Sequence, residues 1–350
     1  MALEHPTSSR TRSEHGRARQ VVTIGLVNNM SDEALKVTER QFGDLVSASA
    51  DQGIDVELRL FALNQTPRSP RALEYIRTHY ESASAVSAMI DGDLDALIIT
   101  GAQPRAACLW DEVYWDELTE LIDLARERTV STIFSCLAAH AAVFHLDGLE
   151  RRPLPEKCTG VFSFTTQRGH PFAGWQKRSN PIPHSRYNGL SRSDLERAGY
   201  HVLMGSPAYG VDSFTKCFGS HFLFLQGHPE YDANSLAREY RRDMGRYLRR
   251  ETDRRPARPK GYFTSEAEAE LDALELRARE DPSSLTMEDL SNIDALAPTA
   301  APWRDAAISF YRNWINLIAA SSRRKAANEA LLARRTGRAS VEAYQQRLNS

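Results

Sequence analysis

The side chains best equipped for covalent chemistry in this chain of 350 residues are Cys136, His228 and Glu230. Cys136 follows Thr129 to Ser135, a run rich in β-branched and aromatic residues, and precedes an Ala- and Leu-rich run. That pattern predicts a strand, a sharp turn and a helix, with the sulfur at the turn. Backbone N–H groups and the dipole at a helix start favour negative charge on such a sulfur. The turn also presents it at the carboxyl edge of a sheet, where α/β proteins build their sites. His228 and Glu230 lie in Gly227-His228-Pro229-Glu230-Tyr231-Asp232, directly after the strand-like run Phe218 to Gln226. Pro229 stiffens the turn between them. A thiol that shares its proton with an imidazole, itself oriented by a carboxylate, is a nucleophile. The competing readings are a small buried apolar cysteine and a surface His-Pro-Glu turn. Taken together the two fragments favour the catalytic reading, because both are predicted at the same edge of one sheet.

The elements that must position them alternate. Val21 to Val27 reads as a buried strand, and Ser31 or Asp32 stands where it could cap the helix from Glu33 to about Ala50. Asp55 to Phe61 alternates as a strand does, Pro67 to Pro70 is a breaker, and Arg71 to Tyr80 is helical. Asp95 to Thr100 is a near-continuous apolar run ending at Gly101–Ala102, and Val113 to Arg128 is the helix leading back toward Cys136. The pattern predicts a doubly wound α/β fold, its mostly parallel sheet covered on both faces. Leu149 to Ser193, rich in Pro, Arg and turn residues, reads as long loops with one strand at Gly160 to Thr166. Tyr200 to Met204 is a further strand, and Asp232 is placed to cap a helix from Ala233 to about Arg250. A basic linker, an acidic helical stretch from Ser265 to Ala297 and the amphipathic run Trp303 to Ile318 follow. The apolar side of that last run must dock on the domain or on a second subunit.

Hydrophobic content of 41%, charged content of 26% and a formal net charge of -2 describe an ordinary globular protein. They give no electrostatic argument for nucleic acid or a membrane surface. No apolar run approaches the roughly 18 residues of a membrane-spanning helix. The first twenty residues lack the apolar core of a secretory signal. Cys108, Cys136, Cys158 and Cys217 form no C-x-x-C pair, so neither a disulfide framework nor a metal site is expected. A cytoplasmic protein with reduced thiols is the expectation.

Several fragments, in order, resemble the homoserine O-succinyltransferases and O-acetyltransferases of methionine biosynthesis. They include Thr38 to Phe42, Ile98 to Ala102, Asp111 to Trp115, Ser131 to Cys136 and Glu156 to Val161. Pro183 to Tyr187, Gly227 to Asp232, Glu239 to Asp243, Trp303–Arg304 and Asn313 to Ile315 complete the series. The resemblance implies a class I glutamine amidotransferase-like fold with a C-terminal helical extension. It also implies a ping-pong acyl transfer from succinyl-CoA or acetyl-CoA to homoserine, with no bound cofactor. Cys136 would carry the acyl group, His228 would be the general base and Glu230 its orienting partner. Gly101, Ala102 and the N–H of Leu137 would form the oxyanion hole, and Lys157, Ser185 and Arg242 would hold substrate. Without the resemblance, Lys157 and Arg242 are equally well read as surface charges.

Residues 1–20 would then be a disordered leader and 21–252 the acyltransferase domain. Residues 253–321 would hold the linker, an acidic helical insertion and the docking helix, and 322–350 a basic tail. A homodimer is expected. The sequence departs from the family at the Met30 turn, at the acidic insertion and at Arg105, which aligns with a position where Gly or Glu is associated with the choice of donor. A guanidinium there suits a succinyl carboxylate. Three rivals remain at this point. A glutamine amidotransferase-like hydrolase would usually carry glycines where this chain has Phe134 and Ala138. The others are a non-enzymatic relative and an acyltransferase acting on serine or another amino alcohol.

Overall fold

The structure is a computed structural model that describes residues 19–81, 94–102, 104–167, 178–280 and 287–324. The leader up to residue 18, Gln103 and the tail beyond residue 324 lie outside the described residues. The strands are β1 (Gln20–Val27), β2 (Ile54–Phe61), β3 (Ala96–Ile99), β4 (Ser131–Ser135) and β5 (Arg152–Thr166), then β6 (Ser179–Gly189), β7 (His201–Ser206), β8 (Gly210–Cys217) and β9 (His221–Leu225). They form one sheet in the order β2-β1-β3-β4-β9-β8-β7-β5-β6. The first five strands in that order run parallel. The remaining pairings are antiparallel.

Both faces of the parallel half are covered, as its unbroken apolar strands require. On one face, α3 (Trp115–Arg128) and α4 (Leu137–Asp147) pack Leu121, Ile122, Ala139 and Val143 against Leu97, Ile99, Phe134 and Phe224. On the other, α1 (Leu35–Ser49) sets Phe42, Leu45 and Val46 against Ile24, Ile98 and Ile133. The expected docking helix, residues 304–324, lies on this second face and buries Phe310, Tyr311, Trp314, Ile315 and Ile318 completely. Trp314 Nε1 donates to Ser131 Oγ at 2.9 Å, and Ser131 Oγ donates to the carbonyl of His221 at 2.6 Å. The helix is therefore a layer of the α/β/α sandwich and is tied to the strand that leads to Cys136.

The loop-rich reading of Leu149 to Ser193 is corrected. β5 begins at Arg152, β6 follows it as a hairpin partner, and β8 was not foreseen. The strand expected at Gly160 to Thr166 is the second half of β5, while prolines at 153, 155, 181 and 183 concealed its start and β6, because proline is excluded from central strands. Here β6 is the edge strand, and the β5 register shifts between Pro153 and Cys158, so the missing N–H groups are tolerated. Two expected caps are also corrected. Asp32 accepts from the backbone N–H of Ser69 at 2.8 Å, at the start of α2 (Pro70–His79), rather than capping α1. Asp232 pairs with Arg40 and Gln41 rather than capping α6 (Ser235–Leu248), the helix that follows the short α5 (Arg192–Arg197).

Two buried histidines brace the sheet. His140 on α4 has Nε2 2.8 Å from Gln226 Oε1, and His184 on β6 has Nε2 3.1 Å from Asp212 Oδ1. Burial pushes both imidazoles down to about 4, so both are neutral at neutral pH. The unfolded chain binds a proton at each near the ordinary value of 6.5, so stability falls as pH drops from about 6.5 to about 4. Each histidine should contribute a slope of up to about 1.4 kcal/mol per pH unit within that window. Urea unfolding at pH 7, 6 and 5 checks this, and His140→Gln should flatten the dependence. Trp314→Ala should cost about 3–5 kcal/mol in the same assay, as for a core aromatic; a cost below about 1 kcal/mol would mean that the helix is not part of this core.

Candidate active site

Three adjacent parallel strands end at one place. Gly101 lies two residues beyond β3, Cys136 one residue beyond β4, and His228 three residues beyond β9. Cys136 adopts φ 53°, ψ −112°, a backbone conformation that non-glycine residues rarely occupy. Its N–H donates to the carbonyl of Leu225 at 2.7 Å, which anchors the strained turn to β9. The sulfur is half-buried at the start of α4, where first-turn N–H groups have no intrahelical acceptor.

The turn after β3 abuts this helix start. A Cβ on Gly101 would come within 2.9 Å of Leu137 Cβ and 3.0 Å of Leu137 N, so only glycine permits the approach. Gly101, Ala102 and Leu137 also line one small hollow together. On the other side, Gly227 is required for a similar reason. A Cβ there would meet Asp212 Oδ1 and Ile182 Cγ2 at 2.6 Å and His184 Nε2 at 2.8 Å. His228 N–H then donates to the carbonyl of Pro183 at 2.8 Å, docking the histidine turn onto β6.

The structure brings Cys136, His228 and Glu230 into one chain of contacts. His228 Nδ1 lies 2.8 Å from Glu230 Oε1, and Cys136 is near enough to the imidazole to help hold its proton. Both His228 and Glu230 are buried. Burial alone would strip the proton from His228, but the attraction of Glu230, its hydrogen bond to the ring and the Cys136 sulfur nearby outweigh that. The imidazolium therefore persists well above its ordinary range.

Lys157, Ser185 and Arg242 also converge, on two carboxylates of α6. Lys157 Nζ lies 2.8 Å from Asp243 Oδ2 and 3.9 Å from Glu239 Oε2, while Arg242 Nε donates to Asp243 Oδ1 at 2.9 Å. Ser185 Oγ donates to Glu239. Burial alone would raise the Asp243 carboxyl, and the Lys157 and Arg242 charges beside it hold it below the usual carboxylate range. Arg242 remains about half exposed, with guanidinium N–H groups to spare.

Arg105 stands apart from these, with an exposed side chain on a polar cleft that Arg68 and Arg246 also line. Its backbone N–H, with that of Ala106, is held by the Glu112 carboxylate.

Two connecting residues went unrecognised in the sequence, although both sit in the motifs. Tyr231 stacks on His228 with ring centroids 4.3 Å apart, and its hydroxyl donates to Glu239 Oε1 at 2.6 Å. Glu239 thus receives both Tyr231 and Ser185, linking the triad to the cationic cluster. Trp303, fully buried, donates its indole N–H to the carbonyl of Tyr231 at 2.9 Å. Among the described residues no group of His, Cys, Asp and Glu could hold a metal ion, and no helix is long and apolar enough to cross a membrane.

The profile of the homoserine O-succinyltransferase family matches residues 6–324. A homoserine O-succinyltransferase of Methylorubrum extorquens is 45% identical over 295 residues, covering 84% of this chain and 86% of that protein. Those of Rhodopseudomonas palustris and Bradyrhizobium japonicum are 44% and 42% identical, covering 86% and 87% of this chain and 90% and 92% of theirs. Among solved structures, a glutamine amidotransferase from Methylobacillus flagellatus aligns over 86% of this chain and 96% of its own, with 14% identity and a TM-score of 0.47. By the reach of the family profile and the identity to its members, the chain belongs to the homoserine O-succinyltransferase family.

Proposed function

We propose that the protein transfers a succinyl group from succinyl-CoA to the hydroxyl of homoserine, in methionine biosynthesis, through a thioester on Cys136. The observation that carries this reading is the buried Glu230–His228–Cys136 chain at a strained strand-to-helix turn, in a member of this family. Cys136 attacks the donor carbonyl, and the developing oxyanion is received by the Leu137 N–H and the Gly101–Ala102 turn. The protonated His228 gives its proton to the departing CoA thiolate. Acylation also removes the negative charge of Cys136, one of the influences that keep the imidazole protonated. The ring is thereby left neutral and able to take the proton of the homoserine hydroxyl as that oxygen attacks the thioester. Cys136 leaves as the thiolate, and the pair returns to its starting state.

Arg242 and Lys157, set around Asp243, are the cations suited to the carboxylate of the amino-acid substrate, with Ser185 beside them. Arg105, on the rim of the polar cleft, is suited to the succinyl end of the donor. The reading includes a homodimer and a cytoplasmic location, and it requires no resident cofactor.

Incubation with succinyl-CoA should add one succinyl mass to Cys136, and homoserine should discharge it. Cys136→Ala should abolish the adduct, while His228→Ala should slow discharge by about 10²–10⁴-fold. A folded protein that acquires no adduct, or one that uses acetyl-CoA far faster than succinyl-CoA, would refute the proposal. Glu230→Gln removes a charge that holds the proton on His228, so the neutral ring should appear at lower pH. The acidic limb of the discharge rate should therefore move to lower pH, and the plateau should fall as the ring loses its orienting partner. An unmoved limb would contradict the role given to Glu230.

A further inference from the structure

The strand that leads to His228 also grips the helix that begins at Cys136. Leu225, the last residue of β9, accepts the Cys136 N–H at 2.7 Å. The next residue, Gln226, is buried, and its side-chain Oε1 lies 2.8 Å from His140 Nε2. Cys136 and His140 are one helical turn apart, so both meet the end of β9 from the same side. Two consecutive residues of one strand end thus hold the first turn of α4 at its top and its bottom. His228 follows after Gly227, where a Cβ would collide with Asp212, Ile182 and His184, so this short link has little room to shift.

The polarity of this bridge is fixed by its far end. Gln226 Nε2 donates to the carbonyl of Val211 at 2.7 Å, and the Gln226 backbone N–H donates to that of Asp212 at 2.8 Å, both on β8. Oε1 is thereby turned toward α4 as an acceptor, and His140 must donate from Nε2. Nδ1 is then the bare nitrogen of the neutral ring, and it is buried with no hydrogen-bond partner among the described residues. The histidine therefore makes one bond and leaves its other polar atom unmet, on a helix whose buried neighbours Ala139, Ala142 and Val143 are apolar. An apolar side chain would cover this face at less cost. What apolar packing cannot supply is direction: it lets a helix slide on a sheet, whereas a buried hydrogen bond fixes one register.

We infer that Gln226 and His140 are positioning residues that set the spacing of Cys136 and His228 by locking the start of α4 to the end of β9. The inference rests on the acyl-transfer reading and adds to it the contact that holds the nucleophile in register with the base. Neither residue touches the reacting atoms. Without the bridge α4 is held to β9 at the Cys136 N–H alone, and its first turn can pivot there. A misplacement of about 1 Å between reacting groups can cost about 10²-fold in rate. Lys157, Ser185 and Arg242, which converge on α6, make no contact with the bridge, so substrate binding keeps its strength.

The test measures single-turnover acylation by succinyl-CoA and steady-state turnover with homoserine, on full-length protein with its folded fraction recorded by urea unfolding. Gln226→Met and His140→Leu should each lower kcat and the acylation rate about 10–100-fold, with KM for both substrates within about twofold of wild type. The double variant should be no slower than the slower single one, since the same bond is lost each time. His140→Gln, whose amide N–H stands the same number of bonds from the backbone as Nε2–H, should recover most of the rate. His140→Asn, one bond too short to reach Gln226, should be as slow as His140→Leu, and it carries the test if the apolar variants do not fold. Rates that fall only with the folded fraction, a rise in KM at constant kcat, additive losses in the double variant, or equal rates for His140→Gln and His140→Asn would overturn the inference and leave the bridge a stability contact. A wild type that succinyl-CoA does not acylate is a separate result, which would refute the parent reading and this inference with it.

Discussion

The site depends on one strained residue. Cys136 has a positive φ and is held there by its N–H bond to the Leu225 carbonyl, between two parallel strands that are buried on both faces. A residue in such a conformation costs of order 1–3 kcal/mol, and it persists because its surroundings over-determine it. The surroundings are specific. β4 is pinned from one side by the Trp314–Ser131 contact, and α4 is seated against Gly101 with no room for a side chain. Release of the strain would require moving the sheet, α4 or the helix 304–324, so the turn keeps its place above a strand whose residues are at most 3% exposed.

Around that point charge is arranged in two linked groups. One is the Glu230–His228–Cys136 chain, which holds a mobile proton in a dry environment. The other is the α6 cluster, where Asp243 is balanced by Lys157 and Arg242. Glu239 joins them through Tyr231, whose ring covers the imidazole and whose hydroxyl stays protonated because burial and the adjacent carboxylates oppose its ionisation. The contact couples the α6 cluster to the histidine: any rearrangement of Glu239 also acts on the tyrosine stacked against the imidazole.

What could be read from the residues follows from what local pattern reports. The parallel half was legible, since Ala96 to Ile99 and Ser131 to Ser135 have no solvent face and show unbroken apolar or β-branched runs. The triad was legible because Cys136 ends one such run and His228 follows another. The start of β5, and all of β6 and β8, were hidden, because their partly exposed faces, prolines and turn residues imitate loop composition, whereas the Gly160 to Thr166 half of β5 was legible. The hub role of Glu239 was hidden for a different reason. An acidic residue on a polar helix looks like solvated surface until the approach of α6 to β6 brings Ser185 and Tyr231 to it.

The Trp303 indole has a consequence for the order in which the enzyme becomes complete. The elbow is made by Cys136, and the imidazole beside it comes from His228, at the end of a later strand. The carbonyl of Tyr231, beside that base, is satisfied by a donor 72 positions further on. A ribosome that has just released His228 and Glu230 has therefore released the whole Glu230–His228–Cys136 chain but not the support that fixes it. The second face of the sheet, with Ile24, Ile98 and Ile133, also remains partly uncovered until the final helix arrives. Cys136 and His228 are thus brought to full register only once residues 303–324 have been made, when this face of the sheet is also covered.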